Sequence, residues 1–323
     1  AGAGFVFYGP ITGDLEAEDA DWTLEGEVEH GRLGRRAHLI SDLNGDHVPD
    51  FGLAHEWGDY GGIESAGILW LFTDAQSGTA FADSEAEAII YGTEEYDYLG
   101  RSYAGLDFDG DGENELVVGA DQANDYDGEA YLFDGAIEGL LSNQNADATW
   151  VGEERGGAGR KLASLGDTNE DGYEDVLVGA DGTGYGAAYI LWGSAKPETM
   201  RLADADITLR SSGLAFQFGF TVHNVGDLND DGAVEIVLGE AVENYSNGYV
   251  FFGPFDTRQT LEDQDADVIL YGDWDDEDYE LFLGPGDVTG DDVPDLVVGS
   301  YLNEGAFGES YAGMVYIVPG IAL

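Results

Sequence analysis

The sequence predicts an all-β chain built as a propeller of four-stranded antiparallel blades, and three observations predict it. One nine-residue acidic pattern occurs five times, its starts separated by 65, 60, 60 and 60 residues. Each copy stands among four short runs rich in Val, Ile, Leu, Tyr and Phe. Glycine supplies 50 of 323 residues, about twice its usual share, as many tight turns between short strands require.

The nine-residue copies are DLNGDHVPD (42–50), DFDGDGENE (107–115), DTNEDGYED (167–175), DLNDDGAVE (227–235) and DVTGDDVPD (287–295). Before each comes a first run, here called A, such as LGRRAHLI from Leu33, LGRSYAGL from Leu99, AGRKLASLG from Ala158 or FGFTVHNVG from Phe218. After each comes run B, such as LVVGAD from Leu116, VLVGAD from Val176, IVLGEA from Ile236 or LVVGSY from Leu296. A variable loop then leads to run C (GEAYLFDG, GAAYILWG, NGYVFFG, AGMVYIVPG) and to run D (AEAIIYG, DATWVGE, DITLRS, DVILYG). Runs of this length and composition, bounded by Gly, Asp or Asn, are strands. Four of them recurring every 60 residues describe a propeller blade, whereas the coils of a β-solenoid repeat at much shorter periods. All 323 residues are read as one domain of five such repeats.

Strand arithmetic leaves a remainder. A and B occur five times, D five times counting DWTLEG at Asp21–Gly26, and C six times because GAGFVFYG at Gly2–Gly9 also fits. The simplest closure lets the N-terminal D strand complete the last blade, giving five blades and one spare N-terminal strand. The alternatives are that the chain is part of a longer propeller or that it builds an incomplete blade at its N-terminus, and the sequence does not choose among them. It opens Ala-Gly-Ala-Gly, with neither Met nor an apolar leader, and is expected to be a processed form or an excised piece.

Composition excludes several functions. Sixty-seven Asp and Glu against 11 Lys and Arg give a formal net charge of −56, a surface that repels nucleic acid and anionic lipid and attracts cations. Without Cys there is no disulfide, thiolate zinc site or Cys nucleophile. No apolar run approaches the ~18 residues of a membrane span. The five His (His30, His38, His47, His55, His223) are scattered, and neither a nucleophile elbow nor a zinc motif is present, so no enzyme is expected.

The acidic pattern points to calcium, which takes six to eight oxygen ligands at a flexible site that one short loop can wrap. Oxygen-bearing side chains fall at positions 1, 3, 5 and 9 of every copy: Asp42, Asn44, Asp46, Asp50; Asp107, Asp109, Asp111, Glu115; Asp167, Asn169, Asp171, Asp175; Asp227, Asn229, Asp231, Glu235; Asp287, Thr289, Asp291, Asp295. An ordinary turn needs one such residue. An EF-hand needs its Glu at position 12 and flanking helices. Position 6 is Gly112, Gly172 and Gly232 in the middle loops, fitting a turn with positive φ, and His47 and Asp292 in the outer two. Loop two, with four carboxylates, is expected to bind most tightly, and loop five, with Thr289 at position 3 and Asp292 at position 6, most weakly.

The loop between A and B, with a Phe-Gly type pair before it (Phe218-Gly219, Leu33-Gly34, Leu99-Gly100) and Gly-Ala-Asp after it (Gly119–Asp121, Gly179–Asp181), resembles the FG-GAP repeat of integrin α-subunit propellers. The resemblance covers nearly the whole chain, with departures at Asp278-Tyr279 and at the GEA and GSY tripeptides. It implies about five calcium ions, with the position-7 carbonyls of Val48, Glu113, Tyr173, Ala233 and Val293 and a water completing each shell. It also implies a seven-bladed family and a secreted or cell-surface adhesion module. In a propeller the metal loops occupy one face, and the resemblance implies a protein ligand or partner subunit on the opposite one, where the B–C and D–A loops carry Trp57, Tyr60, Tyr98, Tyr126, Tyr245 and Trp274. Aromatics on rigidly placed loops suit that role. The alternatives are a calcium-dependent lectin binding glycans between blades and, behind it, a polysaccharide-active enzyme, but the B–C loops share no repeated aromatic and polar pattern that a lectin would need. A lone sequon, Asn244-Tyr245-Ser246, lies in one of them.

Overall fold

The structure is a computed structural model that describes residues 2–27, 33–74, 76–135, 137–182, 184–213, 215, 217–240, 247–271, 279–283, 286–300 and 314–320. Four successive antiparallel sheets carry the full A–B–C–D order. The first comprises Arg36–Ile40, Asp50–His55, Ile68–Phe72 and Ala88–Tyr91, and the second Tyr103–Leu106, Glu115–Ala120, Glu129–Phe133 and Ala148–Val151. The third comprises Lys161–Gly166, Asp175–Ala180, Ala187–Leu191 and Ile207–Arg210, and the fourth Thr221–Gly226, Glu235–Gly239, Asn247–Phe251 and Val268–Tyr271. The fifth repeat contributes Tyr279–Leu283, Leu296–Ser300 and Met314–Val318. The A strands of consecutive repeats adjoin one another along the whole series, which places them innermost and the D strands outermost, as in a β-propeller.

Each sheet is packed on both faces, and the B strands show how. Leu116 and Val118 enter the core shared with the preceding blade, while Val117 enters the core shared with the following one. Val176 and Val178 against Leu177, and Ile236 and Leu238 against Val237, repeat the division. Side chains of a strand alternate in direction, so a strand covered on both faces reads as a continuous apolar run.

The glycines of the two flanking pairs meet each other. Within a repeat, the N–H of Gly100, Gly159 and Gly219 donates to the carbonyl of Gly119, Gly179 and Gly239 at 3.0, 3.1 and 3.1 Å. Between repeats, a Cβ on Gly119 would lie 1.9 Å from the carbonyl oxygen of Gly159. Any side chain at Gly119 would therefore push two blades apart.

Two features go beyond the sequence reading. Of the arrangements left open, the incomplete N-terminal blade is adopted and the closure in which Trp22–Glu25 completes the last blade is not. One edge of that strand pairs with the spare strand Ala3–Val6 and the other, in parallel, with Gly78–Phe81. The pair is the outer half of a blade of its own, packed on the first complete one through Trp22, Leu24, Leu53 and Trp70.

The second is a fifth strand, absent from that reading, that clasps the outer edge of each of the first three complete blades and comes from the next repeat. Gly139–Ser142, in the C–D connection of the second blade, runs parallel to the D strand Ala88–Tyr91 of the first. Met200–Arg201 does the same for Trp150–Val151, and Gln259–Glu262 for Ile207–Arg210. After the clasp, an Asp at the head of D accepts the amide at the end of C: Asp147 from Asp134 at 2.9 Å, Asp206 from Trp192 at 2.9 Å and Asp267 from Phe252 at 2.8 Å. Much of the acidity outside the nine-residue loops thus holds turns.

Gly119→Ala is expected to destabilise the chain by about 3 kcal/mol, or to prevent folding. Gly45→Ala, with open space around it but φ +76°, should lose about 1 kcal/mol. Urea unfolding of the two variants checks the order.

Candidate metal centres

All five acidic loops lie in A–B hairpins at one end of the blades. In each, two residues take positive φ. Position 6 does so as expected, including His47 at 67° and Asp292 at 68°, and position 4 does so too: Gly45, Gly110, Glu170, Asp230 and Gly290, at 58–82°. The two left-handed turns curl the loop, and the side chains at positions 1, 3, 5 and 9 stitch it with one repeated scheme of hydrogen bonds.

Position 1 accepts the amide of position 6, as from His47 to Asp42 at 2.6 Å, Gly172 to Asp167 at 2.9 Å and Gly232 to Asp227 at 2.8 Å. Position 3 accepts the amide of position 5, as in Asn44 with Asp46 and Asp109 with Asp111. Position 5 accepts that of position 7: Val48, Glu113, Tyr173, Ala233 and Val293. Position 9 reaches back to the amide of position 2, at 2.6 Å from Leu43, 2.7 Å from Phe108, 2.9 Å from Thr168 and 2.8 Å from Val288, with Leu228 bonded likewise to Glu235.

These bonds use only some of the oxygens. Asp50 Oδ1, Asp107 Oδ1 and Glu235 Oε1 are buried with no hydrogen-bond partner. In loop two, Asp107, Asp109 and Glu115 bring oxygens within 4.8 Å of one another, and in loop four Asp227, Asp231 and Glu235 do the same. Both loops have Glu at position 9, where the extra methylene carries the carboxylate further in. The residues present therefore fit a hard divalent cation, which would take the spare oxygens.

The electrostatics agree. Position 9 is at most 1% exposed in every loop. Burial, with the nearby loop carboxylates adding to it, pushes Asp50 and Asp175 up to about 6 and Glu115 and Glu235 up to about 7. Asp295 differs: burial raises it, but the amides of Thr289, Gly320 and Val288 outweigh that and hold it below the usual carboxylate range.

At the other end of the blades the four binding candidates among the described residues make separate contacts. Trp57 meets Tyr98 edge-on at 6.3 Å, with the Arg35 guanidinium 3.8 Å over its ring. Tyr60 is stacked on Tyr91 at 4.3 Å, and Tyr126 lies half exposed beside Arg155. Tyr245 and Trp274 fall outside the described residues, as does the sequon.

Beneath the aromatics runs a network that the sequence reading did not single out. Buried Glu56 is met by Arg35 at 2.7 Å, Arg101 at 3.3 Å and Arg36 at 3.5 Å; Asp121 by Arg101 at 3.6 Å; and Asp181 by Arg160 at 3.5 Å. Four of the chain's 11 basic residues gather there. The signal was available: Arg35, Arg101 and Arg160 each follow the glycine that opens run A, and Asp121 and Asp181 end Gly-Ala-Asp.

For a carboxyl raised on folding, the stability it contributes is present below its unfolded value near pH 4 and lost as pH rises through 6 to 7. The metal-free chain is therefore expected to be several kcal/mol more stable at pH 5 than at pH 8, as read by urea unfolding in chelator.

Comparison with known proteins matches this geometry. Residues 99–133 and 158–191 match the FG-GAP repeat family. The chain is 27% identical over 231 residues to integrin alpha pat-2 of Caenorhabditis elegans, covering 65% of this chain and 18% of that protein. It is 34% identical over 179 residues to integrin alpha-PS2 of Drosophila melanogaster, covering 50% and 12%. To integrin alpha-6 of Gallus gallus it is 30% identical over 161 residues, covering 46% and 14%. The chain thus spans less than a fifth of the length of these relatives. Its paired glycines, A–B hairpin loops and radial blades, with FG-GAP repeats at residues 99–133 and 158–191, describe a β-propeller resembling that of integrin α subunits.

Proposed function

We propose that the chain is a calcium-stabilised, extracellular protein-binding or adhesion module, not an enzyme. The observation that carries the calcium part is the loop geometry, with carboxylate oxygens converged within 4.8 Å and spare buried oxygens beside them. Side chains at positions 1, 3, 5 and 9 and the position-7 carbonyl would hold about five ions, one per loop. Sixteen of those twenty side chains are carboxylates, so a bound cation relieves their mutual repulsion and contributes folding free energy directly.

Similarity to integrin α subunits supports the binding part and a cell-surface or secreted setting. The partner, a protein ligand or partner subunit, is assigned to the face opposite the metal loops, where Arg35, Trp57 and Tyr98 form a rigid aromatic and cationic spot. The aromatic clusters differ from blade to blade: Trp57 with Tyr98, Tyr60 with Tyr91, Tyr126 with Arg155. That favours one composite protein surface over equal glycan sites.

Calorimetric titration should find about five calcium ions. Transfer from saturating calcium to chelator should lower the melting temperature by about 10 °C or more, since each ion at a hundredfold excess over Kd adds about 2.7 kcal/mol. An unchanged melting curve overturns the calcium reading. Trp57→Ala should weaken capture of extracellular-matrix proteins at least about tenfold while leaving the calcium count intact. Calcium-dependent binding to one class of sugar on a glycan array would favour the lectin reading instead.

A further inference from the structure

The metal loops are not isolated from one another. Glu174 stands at position 8 of loop three, between the proposed ligand positions Tyr173 and Asp175, and is not itself a ligand. Its side chain accepts the backbone N–H of Asp107 at 3.1 Å, and its own N–H donates to the Asp107 carbonyl at 2.9 Å. Asp107 is the first ligand position of loop two, so one residue of loop three grips it from both sides. Gly110 of loop two leaves room for the Tyr173 ring, which a Cβ there would meet at 2.7 Å. One blade earlier, Asn114 at position 8 of loop two donates to the carbonyl of Asp42, the first position of loop one, at 2.7 Å. In loops four and five the same position is Val234 and Pro294, whose side chains cannot make such a bond.

We propose that Glu174 and Asn114 are positioning residues that couple calcium binding in loops one, two and three, while loops four and five bind independently. This rests on the calcium reading above. Closing loop three on an ion fixes Tyr173 and Asp175, and with them Glu174 between. The Asp107 peptide, held by Glu174, is then fixed in the place loop two needs, so the second ion binds to a loop already ordered. Coupling is reciprocal, so an ion in loop two favours loop three by the same factor. Asn114 relays the same restraint to loop one.

The test is calcium titration calorimetry on the full chain, freed of metal beforehand, alongside Glu174→Ala, Glu174→Gln and Val234→Ala. The parent chain should bind with a Hill coefficient above 1. Glu174→Ala should lower the Hill coefficient to what the Asn114 link between loops one and two supplies, and weaken loops two and three about fivefold with the number of ions unchanged. Glu174→Gln, whose amide oxygen still accepts from Asp107, should restore most of the loss, which a merely structural role would not produce. Val234→Ala should change nothing. Disabling loop three by Asp171→Asn should weaken loop two about fivefold, and disabling loop five by Asp291→Asn should not. An unaltered calcium count with equal, independent affinities in the parent chain and in Glu174→Ala overturns the coupling and leaves the metal reading standing. A parent chain that binds no calcium overturns both.

Discussion

The structure depends on one constraint: every blade must be covered on both faces. Residues such as Leu116 and Val117, neighbours in one strand, belong to different cores, one shared with the blade before and one with the blade after. A four-stranded sheet alone could bury only half of its apolar side chains, so stability is a property of neighbouring pairs, and the cost of any defect is felt across a junction. The glycine pairs serve that junction. Gly119 and Gly159 lie backbone to backbone because any side chain between them would hold the two sheets apart.

The sequence made the four strands and the acidic loops legible because both repeat with fixed register and composition. Glycine at position 6 announced one positive φ, but Glu170 and Asp230 hid the other at position 4, since neither is a residue whose presence demands that conformation. The clasp strands escaped for a different reason. GTAF, GLLS, MR and QTLE share no pattern, and each pairs with a partner encoded 50–56 residues earlier, a distance no local period reports. The place of the N-terminal strand stayed open for the same reason: Trp22–Glu25 looked available for the last blade only while Gly78–Phe81 was unseen at its edge. Of the aromatics singled out, Trp57 and Tyr98 meet, whereas Tyr60 is engaged by Tyr91, and nothing in the sequence ranks one above another.

The acidity, taken whole, first suggested a solvated surface. Residue by residue it divides into separate tasks. Carboxylates at positions 1 to 9 fold their own loops through backbone amides before any ion is considered. Asp147, Asp206 and Asp267 tie the end of one strand to the start of the next. Glu56, Asp121 and Asp181 neutralise arginines at the inner rim, where burial would otherwise penalise both signs. Cations are scarce in the sequence, and four of the 11 stand together where the blades converge.

The offset between the sequence repeat and the structural blade bears on how such a chain can lengthen. Because the fifth strand of each of the first three complete blades is encoded in the following repeat, a duplicated 60-residue unit of that kind carries a clasp for the blade before it and an open edge for the blade after it. Inserted at any internal boundary, it regenerates both junctions, and no neighbouring segment has to change to accommodate it. A unit cut at the blade edge would lack this property, for it would leave one blade unclasped and another with a strand to spare. The parallel clasp therefore makes the repeat a modular genetic unit as well as a mechanical link, and gene duplication can add blades without redesigning the ones already present.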